Sequence, residues 1–248
     1  MGIRLLSGGL LALLMLAAPA SAAADADRPL RVLLIGSSSM RGAMGMALEQ
    51  ELATWENVQV IKRAESATGL ARPDYFDWMA EARALAASVR PDVILCNLGP
   101  NDAQGLRVGE GWHIWGTDAW REAYQDRVRA VLAAFEGKPF YWIGPPAMRR
   151  KNTSLRQALL SIFIANVARD DAAATCIDLH AMTSDAQGRY LAKLTDASGK
   201  KIKARSGDGI HFKLDGARII AHRVLQQVAT DLKAAGRPMQ RRVPASRR

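Results

Sequence analysis

Short aliphatic and β-branched runs alternate along the chain with longer segments whose apolar residues recur at helical spacing. The first run, Leu30 to Ile35, is apolar without interruption, which fits a strand buried on both faces. It stops at the turn Gly36-Ser37-Ser38-Ser39, and a helix through Met44, Ala47 and Leu48 follows, reaching about Trp55. Val58 to Ile61 reads as a second strand, and Pro73 to Arg90 as a helix with proline in its first turn and Asp74 and Asp77 near its positive end. A third strand, Asp92 to Leu98, ends at Gly99-Pro100-Asn101-Asp102, and a loop leads to Thr117, placed as an N-cap. Trp120, Tyr124, Val128, Val131, Leu132 and Phe135 then mark a helix that Gly137-Lys138-Pro139 breaks. Phe140 to Ile143 is the fourth strand, Leu155 to Arg169 a helix and Thr175 to Leu179 the fifth strand. The polar, glycine-bearing stretch from Asp185 to Lys203 is expected to be a surface hairpin or loop, and Leu214 to Ala234 the last helix.

This βαβα order predicts a single α/β domain over residues 30–234, its parallel sheet covered by helices on both faces. The two ends change the picture. Arg4, the apolar run Leu5 to Ala18 and Pro19-Ala20-Ser21-Ala22 form the pattern of a signal peptide over residues 1–22, followed by a short linker at 23–29. The run is shorter than the ~20 residues that span a bilayer. The expectation is therefore a protein that is soluble after cleavage and periplasmic or secreted. Of the formal net charge of +10, much sits in Arg237, Arg241, Arg242, Arg247 and Arg248, which predicts a basic, disordered tail at 235–248. No nucleic-acid recognition motif accompanies that charge, so nucleic acid is not an expected partner; the tail suits anionic envelope polymers or simple solubility. With two cysteines, Cys96 and Cys176, and no cluster of metal-ligand spacing, neither a disulfide framework nor a metal or other cofactor is expected.

Four separated pieces carry chemistry: Gly36-Ser37-Ser38-Ser39-Met40, Gly69, Gly99-Pro100-Asn101-Asp102 and Asp208-Gly209-Ile210-His211. Turns after the strands of an open parallel sheet converge at its carboxyl edge, so these pieces can meet. A serine hydroxyl needs a base, and a histidine base needs a third group to hold its tautomer; the three-residue spacing of Asp208 and His211 suits those two roles. On composition alone Ser37, Ser38 and Ser39 are equal candidates, each piece singly reads as an ordinary turn or cap, and His211 as a structural histidine. His113, His180 and His222 have no comparable carboxylate context.

In their order and content these blocks resemble those of the SGNH hydrolases, the GDSL esterase/lipase superfamily, over Leu30 to about Leu232. The segments Ser66 to Trp78 and Trp142 to Arg149 further resemble a periplasmic branch still labelled as a domain of unknown function. The resemblance implies a three-layer α/β/α flavodoxin-like sandwich with a five-stranded parallel sheet of order 2-1-3-4-5. It singles out Ser38 as nucleophile, His211 as base and then acid, and Asp208 as its orienting partner. The N–H groups of Ser38 and Gly69 and the Asn101 amide would form the oxyanion hole, where a tetrahedral oxyanion needs preorganised donors. Ser37 departs from the family, which carries aspartate there; a serine hydroxyl can still bond nearby N–H groups, the alternative being a weakened site. The implied order separates Cys96 from Cys176 by a strand, about 9.5 Å for two strand spacings, too far for a disulfide, so both thiols are expected free and buried.

The loop from Gly105 to Gly116 brings Trp112, His113 and Trp115 directly after the Asn101 block. The expected substrate is an O-acylated envelope glycan or a small ester, with Trp112 or Trp115 as platform and Arg107 or Arg149 meeting an anionic group. The competing reading packs these tryptophans into the core. Hydrolysis and acyl transfer share an acyl-enzyme, and transfer would bring a membrane acyl-donor partner. A different class, a non-catalytic glycan-binding protein on the same fold, is the further alternative.

Overall fold

A computed structural model describes residues 28–242 of the chain. The expected signal peptide, residues 23–27 of the linker and residues 243–248 of the tail lie outside the described residues. In chain order the elements are β1 (Leu30–Gly36), α1 (Ser38–Arg41), α2 (Ala43–Leu52), β2 (Val58–Ala64), α3 (Trp78–Val89), β3 (Val93–Asn97), β4 (Leu106–Val108), β5 (Gly111–His113) and α4 (Asp118–Ala133). Then follow β6 (Phe140–Ile143), α5 (Lys151–Ala168), β7 (Ala174–Ile177), α6 (Leu179–Met182), β8 (Lys193–Thr195), β9 (Lys201–Lys203) and α7 (Leu214–Ala234).

One parallel sheet has the order β2-β1-β3-β6-β7, which among its own strands is 2-1-3-4-5, the flavodoxin-like order that the resemblance implied. Successive side chains of a strand point to opposite faces, and here both faces are dry. Val32, Leu34, Val93, Leu95, Tyr141 and Ile143 belong to one core with α2 and α7, through residues such as Leu48, Ile220, Val224 and Val228. Leu33, Ile35, Ile94, Cys96, Phe140 and Trp142 belong to the other with α3, α4 and α5, through Trp78, Trp120, Val128, Leu160 and Ile164. The result is three layers.

In the register across the sheet Trp142 lies between Cys96 and Cys176, so a whole strand separates the two free thiols. Cys96 is buried as expected; Cys176 is only partly so, because β7 is an edge strand.

Several boundaries differ from those the periodicity predicts. The α3 helix starts at Trp78 rather than Pro73, because the Asp77 carboxylate accepts from the Met79 and Ala80 amides at 3.0 Å and caps it there. Thr117 does cap α4, accepting from the Trp120 N–H. The α5 helix begins one turn early, at Lys151, where Ser154 turns inward to accept from the Met148 N–H. The loop after Asp102 holds a hairpin, β4 against β5.

The disordered tail is a correction as far as Arg242. Met239 is buried, Arg237 reaches the buried Asp92, and the Glu56 and Arg242 amides donate to Gln240 and Thr54 carbonyls. The Arg241 guanidinium sits 4.5 Å from the centre of the Trp55 ring. One apolar anchor and one buried carboxylate thus fasten a segment whose charge alone argued for solvent. Burial pushes the Asp92 carboxyl up, but hydrogen bonds from Arg28, Arg237 and the Arg31 amide outweigh it and hold the group well below the usual carboxylate range.

Candidate active site

Ser38 lies in the first turn of α1, directly after β1, where the N–H groups of a helix have no intrahelical acceptor. Its Oγ is 2.8 Å from His211 Nε2, and His211 Nδ1 is 2.7 Å from Asp208 Oδ2. The other Asp208 oxygen accepts from the Ile210 and His211 amides at 2.8 and 3.0 Å, so one carboxylate both builds the turn and orients the ring. Burial alone would raise the Asp208 carboxyl; the hydrogen bonds from His211 and the two amides win and hold it down to about 2. It is therefore an acceptor at neutral pH, which fixes the proton on Nδ1 and leaves Nε2 free to accept from the serine.

The turn carrying Asp208 and His211 is fastened from outside. Gly209 has a φ of +74°, and a Cβ there would meet the Arg149 side chain at 2.5 Å. Arg149 donates its backbone N–H to Gly209 and its guanidinium to the Gly207 and Ser206 carbonyls. Buried Arg205 donates to the carbonyls of Ala147 and Ile210 from beneath. Neither brace was legible as such: Arg149 was expected to meet substrate, and Arg205 carried no signal in the sequence.

Asn101 donates to the Thr68 carbonyl at 2.8 Å and so lies against the loop of Gly69. An amide group carries two N–H bonds, so one remains for a ligand. Among the described residues no protein acceptor takes the N–H of Ser38 or of Gly69. Gly69 is glycine for a steric reason: a Cβ would stand 2.1 Å from Asp102 Oδ1.

Asp102 itself was read as part of a turn; it is fully buried and accepts from the Ala71 amide at 2.8 Å and the Tyr124 hydroxyl at 3.1 Å. Arg127, one turn on from Tyr124, donates to the carbonyls of Leu70 and Arg107. Burial pushes the Asp102 carboxyl up to about 6, against the lowering effect of the Ala71 and Leu70 amides, the Tyr124 hydroxyl and the Arg127 charge. The helical spacing of Tyr124 and Arg127 was visible, but not that both turn toward residues 70 to 102.

Ser37 corrects another expectation. Its side chain is buried, caps nothing, and its hydroxyl has no partner among the described residues. The turn is held instead by backbone, Arg41 N–H to the Ser37 carbonyl at 2.9 Å. Of the aromatic pair, Trp112 is 52% exposed on the hairpin, with the Arg72 and Arg107 guanidinium groups 5.2 and 5.7 Å from the centre of its ring. Trp115 is packed edge-on against Trp120 at 4.4 Å, so it anchors the hairpin to the core rather than offering an open face. The hairpin joins the Gly69 loop directly, through the Arg107 N–H to the Ala71 carbonyl. Among the described residues no cluster of three or more His, Cys, Asp or Glu side chains could hold a metal ion.

Comparison with known proteins agrees with this fold. Residues 31–227 match the family described as Protein of unknown function (DUF459). No curated protein matches the chain. Among solved structures, a catalytic mutant of Axe2, an acetylxylan esterase from Geobacillus stearothermophilus, superposes with a TM-score of 0.56 at 11% identity, covering 81% of this chain and 94% of that one. A carbohydrate acetylesterase family member from Sinorhizobium meliloti gives 0.56 at 14% identity, over 82% and 99%. The psychrotrophic esterase EstA from Pseudoalteromonas sp. gives 0.51 at 12% identity, over 82% and 98%. At these identities the likeness is one of fold, that of the SGNH esterases.

Proposed function

We propose, for a chain that belongs to the family described as Protein of unknown function (DUF459), that it is an exported serine esterase removing O-acyl groups from carbohydrate. The observation that carries this reading is the hydrogen-bonded chain Ser38–His211–Asp208, at 2.8 and 2.7 Å, on a fold shared with esterases. Ser38 Oγ attacks the ester carbonyl as His211 Nε2 takes its proton, and Asp208 holds the imidazolium that forms. The carbonyl oxygen, now an oxyanion, takes the N–H groups of Ser38 and Gly69 and the free N–H of Asn101. As the intermediate collapses, His211 returns the proton to the departing alcohol and the acyl group stays on Ser38. Water, activated by the same histidine, then releases it.

Carbohydrate is favoured by Trp112, half exposed beside the Gly69 loop with the Arg72 and Arg107 guanidinium groups over its ring, an aromatic and cationic surface suited to part of a bound glycan. Two of the fold neighbours are named as acting on acetylated carbohydrate, the acetylxylan esterase and the carbohydrate acetylesterase. Export rests on the signal-like pattern of residues 1–22, and an acylated glycan of the cell envelope is the substrate that such a location offers.

The test is hydrolysis of p-nitrophenyl acetate by the mature protein beside Ser38→Ala and His211→Ala. Each substitution is expected to lower kcat by about 10³-fold or more, as removal of a triad member does. Equal activity in all three proteins contradicts the proposal; absence of turnover in all three, including with acetylated xylan, moves the reading to a transferase served by a membrane acyl donor or to a glycan-binding protein.

A further inference from the structure

Next to the turn of Asp208 and His211 lies a cleft of about 630 Å³ between the start of α5 and the segment Gln187 to Tyr190. Its size falls in the range of small-molecule sites, ~300–1,000 Å³. Arg149 belongs to both places: it lines the cleft and holds the Ser206 and Gly207 carbonyls. The cleft and the reacting groups therefore share a wall.

That wall is on a definite side of the chemistry. An ester bound to Ser38 points its carbonyl oxygen at Gly69 and Asn101, and its alcohol oxygen at His211, which must protonate it. The cleft adjoins the histidine turn through Arg149.

Its charge is one-sided. Arg149, Lys151 and Arg189 line it, and no carboxylate does. Asp185 pairs with Arg189 at 2.7 Å, which offsets one of the three. Behind the lining residue Tyr190 stands Arg205, 2% exposed, its guanidinium carbon 5.0 Å from the centre of the tyrosine ring. The same guanidinium lies 4.2 Å from the centre of the Phe212 ring and interacts with the Tyr190 hydroxyl, so the cation is held inside the wall of the cleft. Its charge, taken out of water behind the cleft wall, favours an anion in the cleft. The α5 helix adds to the field, since its positive end opens here with no acidic residue in its first turn and no side-chain cap. The rest of the lining mixes hydrogen-bonding side chains, Asn152, Ser154, His180 and Gln187, with the apolar Met148, Leu155 and Ala158, the combination of polar groups and C–H contacts that a sugar ring presents.

We propose that this cleft is the subsite for a sugar carrying a carboxylate or phosphate group, and that this anionic sugar is the alcohol component of the ester. The assignment of the alcohol side rests on the esterase reading above; the preference of the cleft for an anionic sugar does not.

The experiment therefore measures binding, on the Ser38→Ala protein, by calorimetry with methyl glucuronide, glucose 6-phosphate and methyl glucoside. At least one charged sugar is expected to bind ten-fold or more tightly than the neutral glucoside, and whether the carboxylate or the phosphate is the tighter names the substrate chemistry. Adding Lys151→Glu and Arg189→Glu is expected to abolish the preference; Lys151→Gln with Arg189→Gln reduces it in the same direction if the charge reversal disturbs folding. Binding of all three sugars alike, no binding of either charged sugar, or a preference that survives the paired substitutions overturns the proposal. A protein without esterase activity that still shows the charge preference would sink the esterase reading and leave this one standing, and an active esterase without the preference would do the reverse.

Discussion

Asp102 and Asp208 are carboxylates of the same site with opposite electrostatics, and the difference predicts opposite pH behaviour. The Asp208 carboxyl is held down to about 2 by its hydrogen bonds, so its contribution to stability is present above about pH 4 and is lost only as pH falls through about 2. Burial raises the Asp102 carboxyl to about 6, above the ~3.9 of an unfolded chain. Folding thus favours its protonated form, and its contribution is complete below about pH 4 and lost as pH rises through about 6. Urea unfolding of Asp102→Asn beside the wild type is expected to show the variant gaining on the wild type between pH 4 and pH 7, by roughly 2 kcal/mol. Parallel profiles would contradict the assignment. Ser38, Asp208 and His211 were legible because the chain carries them in recognisable blocks. The buried assembly of Ala71, Asp102, Tyr124 and Arg127 was not, because it joins residues from three elements and each has an ordinary local reading as turn or helix face.

At the scale of elements, β1, β3, β6 and α7 follow from uninterrupted apolar runs and a long helical period. The edge strand β2 was read short because Lys62 and Arg63 continue it; an edge strand takes such residues, here paired with Glu49 and Glu81. The C-terminal segment is the element that charge misjudged. Its attachment through Met239, Arg237 and the backbone pairing near Asn57 predicts a measurable loss when residues 235–248 are removed. Burial of the methionine side chain alone is worth about 1.5–3 kcal/mol. For a domain of this size a loss of about 2 kcal/mol corresponds to a fall in Tm of roughly 4–8 °C. A scanning calorimetry trace that does not move would show the contacts to be marginal.

For the whole molecule, the order 2-1-3-4-5 decides what can meet. The turns after β1, β2 and β3 supply Ser38, Gly69 and Asn101 at one edge of the sheet, and the segment before α7 brings His211 to the same place. The same order puts Trp142 between the two cysteines. The three-layer architecture was legible because its strands are apolar on both faces; the cleft beside Arg149 was not, since it depends on how the segment Gln187 to Tyr190 folds back over α5. The central claim is that this edge activates Ser38 among three adjacent serines. Treatment with a fluorophosphonate and peptide mass spectrometry tests it most directly: the account predicts one adduct, on Ser38, abolished in Ser38→Ala and strongly slowed in His211→Ala. An adduct on Ser37 or Ser39, or labelling that is indifferent to His211, would contradict it.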